Sequence, residues 1–361
     1  MKIVQLIYSL SSGGGERFVV DLSNELAKRG HDVTLCMLLN ATEHRLFNRQ
    51  FLNGRVKFHS MGFSSGFSFL KVKRLESYIL SQKPDVAHCH LNVIPYVFWL
   101  SYKHREIKFF HTLHSIASES CGPKYQYKIN KYFYSKGIIR PVAISRLCQD
   151  SYRNFYKLDN APYINNGRAI VKPTEELSNV YKDISSHKKD SLTPVFIHVA
   201  RCNALKNQDL LIDTFNILDK ENVNYILLVI GSGYDMEEGL KLKKKACNKI
   251  LFLGEKNNVG DYLLCSDFFC LTSHYEGLPI SLLESLSCGV TPVCTNVGGI
   301  PDVIIDKVTG YLSEDDIKSY VTTIKYAICH KIHKERLIKY FNDKFSIDVC
   351  CDRYIELYIN K

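Results

Sequence analysis

The stretch Ser273-His274-Tyr275-Glu276-Gly277-Leu278-Pro279, running on through Ile280 to Cys288 and Gly289, holds the residues best spaced for chemistry. Apolar Phe268–Leu271 reads as a strand, Pro279 as a first-turn helix residue and Gly289 as the residue after the helix ends. A helix start offers amides that its own carbonyls do not reach, and the macrodipole favours negative charge there. Such a start is an anion site suited to a diphosphate. Glu276, in the loop before the helix, can reach a neutral hydroxylated ligand. Glu284, two turns on, can bind ribose hydroxyls. Either acid alone is a solvated carboxylate beside a capped helix; the loop, acids and helix start together carry the functional reading.

The elements that must position this segment alternate along the chain. Strands are expected at Lys2–Tyr8, Asp32–Leu38, Val56–His59, Val86–His90, Phe109–Leu113 and Val142–Ser145. A helix fits Glu16–Arg29, where Phe18, Leu22, Leu26 and Ala27 recur at helical spacing and Gly30 stands at the C-cap. The pattern breaks near Tyr163–Gly167, and the polar stretch Lys172–Pro194 reads as a linker. Strands resume at Val195–Ala200, Tyr225–Ile230, Ile250–Leu253, Phe268–Thr272, Thr291–Thr295 and Gly310–Leu312, with a helix at Asp209–Lys220 among them. Alternation of this kind implies parallel sheets covered by helices on both faces. The expected domains are 1–166, 167–340, and a C-terminal helical segment 341–361 that returns to the first domain. Two doubly wound units would face each other across a cleft, with ligand outside the carboxyl ends of the strands.

Glu276 and Glu284 form a Glu-x7-Glu motif, and their segment resembles that of the retaining glycosyltransferases of family 4, which have the GT-B fold: α/β, two Rossmann-like doubly wound domains. Other stretches match in order: Gly13-Gly14-Gly15-Glu16, Val199-Ala200-Arg201 followed by Lys206 to Leu211, Ile230-Gly231-Ser232-Gly233, and Val297-Gly298-Gly299-Ile300-Pro301-Asp302. The resemblance spans nearly the whole chain, more weakly between residues 40 and 140. It implies that Arg201 and Lys206 hold a donor diphosphate and neutralise it as the glycosidic bond breaks. It implies that Glu276 binds the donor sugar and Glu284 the ribose, while Gly277, Leu278 and Pro279 shape the pocket. Gly14 and Gly15 let backbone amides approach the ligand; Gly231 and Gly254 complete the donor-binding set. Singly, Arg201 and Lys206 are two surface cations beside a helix start, and the glycines are tight turns.

His114 ends the strand Phe109–Leu113 and resembles the family histidine near the reacting carbon; as a residue alone it is a strand-end histidine. His111 points to the other face of the pleat, and His88 and His90 read as structural. No carboxylate or thiolate stands at ligand spacing from these four, and no Asp-x-Asp occurs, so neither a metal site nor any other cofactor is expected. No general base is evident. The resemblance implies that the leaving phosphate takes the acceptor proton, that configuration is retained and that no metal is used.

Charge is uneven. Net charge is +10, but residues 1–166 hold 23 Lys and Arg against 11 Asp and Glu, while residues 167–361 hold 24 against 26. A basic first half faces something anionic. Lys124, Lys128, Lys131, Lys136 and Arg140 interleave with Tyr125, Tyr127, Tyr132, Phe133 and Tyr134, which suits an anionic bilayer or single-stranded nucleic acid, or simply a helix with a solvated basic face. A nucleotide-sugar site favours the membrane, with a lipid-linked glycan acceptor on the first domain and no nucleic acid. Thirteen cysteines without a Cys-x-x-Cys pair argue against a disulfide framework or zinc ribbon. The start Met1–Tyr8 reads as a strand, not a signal peptide, so a cytoplasmic enzyme at the inner face of the membrane is expected.

The expected function is therefore hexosyl transfer from a UDP- or GDP-sugar in cell-surface polysaccharide assembly, such as capsule or lipopolysaccharide. A dehydrogenase would need Gly-x-Gly-x-x-Gly after the first strand, which is missing. A non-catalytic sugar-binding protein and a GT-B sugar-nucleotide epimerase remain as alternatives.

Overall fold

The computed structural model describes residues 1–122 and 124–360; Pro123, Lys361 and the side chain of Lys124, the first cation of the basic stretch, lie outside it. The chain divides into two units, Met1–Ala169 with Phe345–Lys361, and Ile170–Lys344.

In the first unit six parallel strands, β1 (Lys2–Ile7), β2 (Asp32–Leu39), β3 (Lys57–Phe63), β4 (Val86–His90), β5 (Lys108–Leu113) and β6 (Ile139–Ala143), lie in the order β3-β2-β1-β4-β5-β6. The order reverses between β1 and β4, the place where such sheets bind ligand. Central strands covered on both faces read as unbroken apolar runs, and β1 is buried from Ile3 to Ile7. Its polar member is Gln5, which lies beside two buried histidines of β4, His88 and His90.

The second unit repeats the plan with β7 (Val195–Val199), β8 (Ile226–Ile230), β9 (Ile250–Gly254), β10 (Phe268–Leu271), β11 (Thr291–Thr295) and β12 (Tyr311–Ser313), in the order β12-β11-β10-β7-β8-β9. Each observed pairing is parallel. Both units are Rossmann-like and doubly wound.

Several boundaries differ from the sequence reading. Strand β6 starts at Ile139, ahead of the expected Val142, because it is an edge strand that tolerates Pro141. The expected linker 172–194 contains a helix, Leu177–His187, that buries Val180 and Ile184 one turn apart. The helix expected from Glu16 begins at Gly14.

The first break falls after Ala169, not Asn166. Buried Arg168 pairs with Asp21, its N–H donates to the Phe345 carbonyl (2.9 Å), and its carbonyl accepts from Ile347 (3.0 Å). Residues 341–344 complete the helix Lys334–Lys344 of the second unit, so the returning segment starts at Phe345. Its helix, Ile347–Ile359, buries Tyr354 and Tyr358 in the first unit. Among the described residues no helix is long and apolar enough to cross a membrane, and the thirteen cysteines are all free.

Candidate active site

In the second unit the loops after β7, β8, β9, β10 and β11 gather the predicted donor residues. Lys206 ends a 3-10 turn, Ala204–Lys206, which Asn203 caps by accepting from the Lys206 N–H at 3.2 Å. Its carbonyl accepts from Thr272 Oγ1 just past β10, at 3.1 Å. The Lys206 ammonium then donates to Glu276 Oε1 at 2.6 Å. Ser273 Oγ donates to the same oxygen, also at 2.6 Å. Glu276 is thus a buried carboxylate held by a cation and a hydroxyl, both fixed by the end of β10. Charge-assisted bonds of this kind are about twice as strong as neutral ones.

The backbone of Glu276 is fixed from the other side. Its carbonyl accepts from Gly299 N–H at 2.9 Å. A Cβ on Gly298 would stand 2.0 Å from that carbonyl oxygen, and Gly298 has φ +59°. Only glycine satisfies both demands. Sequence reasoning quoted Ser273 and Gly298 without giving either a role; their neighbours' chemistry, not their own residue type, supplies it.

Pro279 is the N-cap, with ψ 122°, and not the first helical residue; the helix runs Ile280–Ser287. The proline ring fixes φ but permits extended ψ, so it serves either position. Leu278 and Pro279 are buried, Gly277 partly so. Glu284 lies on this helix, partly buried, among buried Leu282, Leu283, Ser285 and Leu286.

Gly231 is pressed against the Ala200 carbonyl, where a Cβ would lie 2.0 Å away, and its N–H donates to Gly254 at 2.9 Å. Cys202 N–H donates to Ser232 at 2.9 Å. The Arg201 loop is therefore laced to the turn after β8, which is tied in turn to Gly254 at the end of β9. The Arg201 side chain is exposed and takes no part in the Lys206–Glu276 pair.

In the first unit Gly14 and Gly15 open the helix Gly14–Lys28, whose N-cap, Gly13, has no side chain to occupy its first amides. The predicted glycine loop is thus itself a helix start. A Cβ on Gly15 would be 3.4 Å from the His114 ring, which follows β5. His114 Nε2 is 3.2 Å from His90 Nδ1, and His90 Nε2 is 2.7 Å from Gln5 Oε1. With Gln5 accepting, neutral His90 turns a bare Nδ1 to His114, whose Nε2–H donates. His114 Nδ1 is left buried without a hydrogen-bond partner among the described residues.

Burial, and then the charge of His111, pushes the His114 pKa down to about 3. His88 and His90 are held well below the usual range by burial and then by neighbouring imidazoles. His88 bonds Tyr358 (2.6 Å) and Thr112 (2.7 Å); His111 bonds Tyr134 (2.8 Å) and the Leu91 carbonyl (3.1 Å). These rings are committed to protein partners. Among the described residues no cluster of three or more His, Cys, Asp or Glu stands in a metal-binding arrangement.

Residues 12–168 match the family model Glycosyltransferase Family 4. Residues 180–343 match Glycosyl transferases group 1. A relative from Bacillus anthracis, N-acetyl-alpha-D-glucosaminyl L-malate synthase, is 32% identical over 167 residues, 42% of this chain and 44% of that enzyme, so less than half of its length is matched. The Escherichia coli UDP-Gal:alpha-D-GlcNAc-diphosphoundecaprenol alpha-1,3-galactosyltransferase is 26% identical over 278 residues, 70% of each chain. Among solved structures, Anabaena Alr3699/HepE in complex with UDP superposes with TM-score 0.81 at 15% identity, covering 99% of both chains. The fold is GT-B.

Proposed function

We propose that this chain, which belongs to the family 4 glycosyltransferases, moves a sugar from a nucleotide-sugar donor to a glycan acceptor carried on a lipid, in the assembly of a cell-surface polysaccharide. The carrying observation is Glu276, buried and bound by Lys206 and Ser273 in a loop that leads into a helix start. Lys206, Arg201 and the first amides of Ile280–Ser287 meet the donor diphosphate, which calls for no divalent ion. Glu276 takes hydroxyls of the donor sugar, and Glu284 takes the ribose.

The bond from the anomeric carbon to the diphosphate oxygen breaks, and a bond to the acceptor hydroxyl oxygen forms on the same face. The hydroxyl proton passes to the leaving phosphate, so no protein base is required. His114 and the start of Gly14–Lys28 line the acceptor side of the first unit. The E. coli relative, named for a UDP-sugar and a diphosphoundecaprenol acceptor, supports UDP over GDP and a lipid carrier. Lys128 and Lys136, exposed at the basic helix, with Lys131 between them, would meet an anionic bilayer.

A thermal-shift screen against UDP, GDP, ADP and their sugar conjugates tests the donor assignment. A ligand bound only by the folded chain at 100 times its Kd adds about 2.7 kcal/mol of stability. The expected result is a raised midpoint with the UDP series, unchanged by EDTA and lost in Glu284→Ala or Arg201→Ala. No shift with any sugar nucleotide at millimolar ligand would end the transferase reading.

A further inference from the structure

The first unit carries a second feature that the donor chemistry does not use. Phe67, Phe69, Trp99, Tyr102, Tyr125 and Tyr132 are each at least 47% exposed. They frame a groove of about 1000 Å³ floored by Val72, Pro95, Tyr96, Phe98 and Phe133. A concave groove of this volume, lined mostly by apolar and aromatic side chains, is of the size that seats a ligand.

Its rim has one sign of charge. The three stretches that line it, 66–73, 92–102 and 125–133, carry Lys71, Lys73, Lys128 and Lys131 and no Asp or Glu, and Lys73 itself lines the groove. Just past the second stretch, Lys103 lies 4.6 Å over the Trp99 ring and Arg105 5.6 Å over Tyr102, so two more cations stand against the aromatic lining. An apolar floor inside a cationic rim is complementary to an amphiphile with an apolar chain and an anionic head.

Position ties the groove to the candidate site. The 3-10 segment Leu91–Tyr96 begins where Leu91 receives the His111 ring bond and contacts the Gly15 position, beside His114. It ends at Pro95 and Tyr96 in the groove, and Asn92 lines the groove as well. One short segment therefore borders both.

We infer that this groove seats the apolar chain of an isoprenoid diphosphate acceptor, with the diphosphate charge met by the lysine rim and the saccharide directed toward His114. The assignment rests on the transferase reading above and gives that reading's acceptor a chemical class and a place. A concave aromatic channel fits one chain entering lengthwise, whereas a flat bilayer surface would be met by a convex or planar patch.

Trp99 is the chain's one tryptophan, so its emission reports the groove directly. Geranylgeranyl diphosphate, titrated into the full chain below its micellar concentration, is expected to produce a saturable blue shift. Inorganic diphosphate is expected to produce none, and phosphatidylglycerol vesicles lacking isoprenoid, which the neighbouring lysines can meet, a clearly smaller one. Phe69→Glu with Tyr125→Glu, at side chains 80% and 70% exposed, should weaken the apparent affinity at least tenfold with the melting midpoint unchanged.

Absence of a saturable shift overturns the proposal. So does an equal shift with plain vesicles, which would make the groove a bilayer contact, or a shift with protein concentration alone, which would make it a contact between copies. A nucleotide thermal shift without isoprenoid binding removes the groove assignment and leaves the transferase. Isoprenoid binding without any nucleotide response removes the acceptor role and, with it, the transferase reading.

Discussion

Glu276→Gln is expected to cut kcat by about 10²–10³-fold, the loss typical when one preorganised electrostatic contact to a transition state is removed. Glutamine keeps the shape of the side chain, so the loop between β10 and its helix should stand. What disappears is the negative acceptor at which Lys206 Nζ and Ser273 Oγ converge, each at 2.6 Å. Lys206→Ala should cost a similar factor and also lower the melting midpoint, because it leaves a buried carboxylate with a hydroxyl as its remaining partner. The double variant should lose far less than the sum of the two, since the residues act as one unit.

Gly298→Ala reaches the same carboxylate by another route. Its Cβ would displace the Glu276 carbonyl, so it should lower activity about as far without touching any ionisable group. UDP release from the donor chosen by the thermal screen measures all four. Glu276→Gln retaining activity within threefold would reduce Glu276 to a loop anchor.

How far the sequence carried this site depends on the kind of residue. Lys206, Glu276, Gly231 and Gly254 entered through the resemblance of their segments to the family, and the fold brings Lys206 onto Glu276 and Gly231 onto Gly254. Their other partners had no such signal. Ser273 and Thr272 are common residues at the end of a strand, and only the fold shows that one holds a carboxylate and the other a backbone carbonyl. The pairing of Gln5 with His90 was hidden for a different reason. Gln5 lies inside a central strand that reads as an apolar run, His90 closes the neighbouring strand, and their pairing depends on β1 lying beside β4, a long-range neighbour relation that no local pattern encodes. The helix Leu177–His187 escaped because two buried residues among charged ones look like a linker.

The same buried histidines set a pH limit on the first unit. An unfolded histidine takes up a proton near pH 6.5. In the folded chain burial holds His88 and His90 well below that value, His111 down to about 4 and His114 to about 3. Between about pH 6.5 and 4 the unfolded state therefore binds more protons, so stability rises with pH and is lost as pH falls through that window. Each such group contributes a slope of up to about 1.4 kcal/mol per pH unit. The second unit has one counterpart, His198, lowered to about 4 by burial.

Four groups against one should make the first unit several times steeper in its loss of stability, and a domain stable by about 5–15 kcal/mol should begin to open near pH 5. Ordinary carboxylates titrate mainly below that, so the window from 6.5 to 5 belongs to the histidines. Trp99 lies in the first unit and reports its unfolding alone, while far-ultraviolet circular dichroism reports both units. In urea titrations, the Trp99 midpoint should fall sharply from pH 7 to pH 5 while the remaining dichroism transition moves much less. Equal slopes for the two signals, or a Trp99 midpoint unchanged at pH 5, would mean that these rings accept protons in the folded chain. The neutral His90–His114 pair assigned to the candidate site would then be wrong as well.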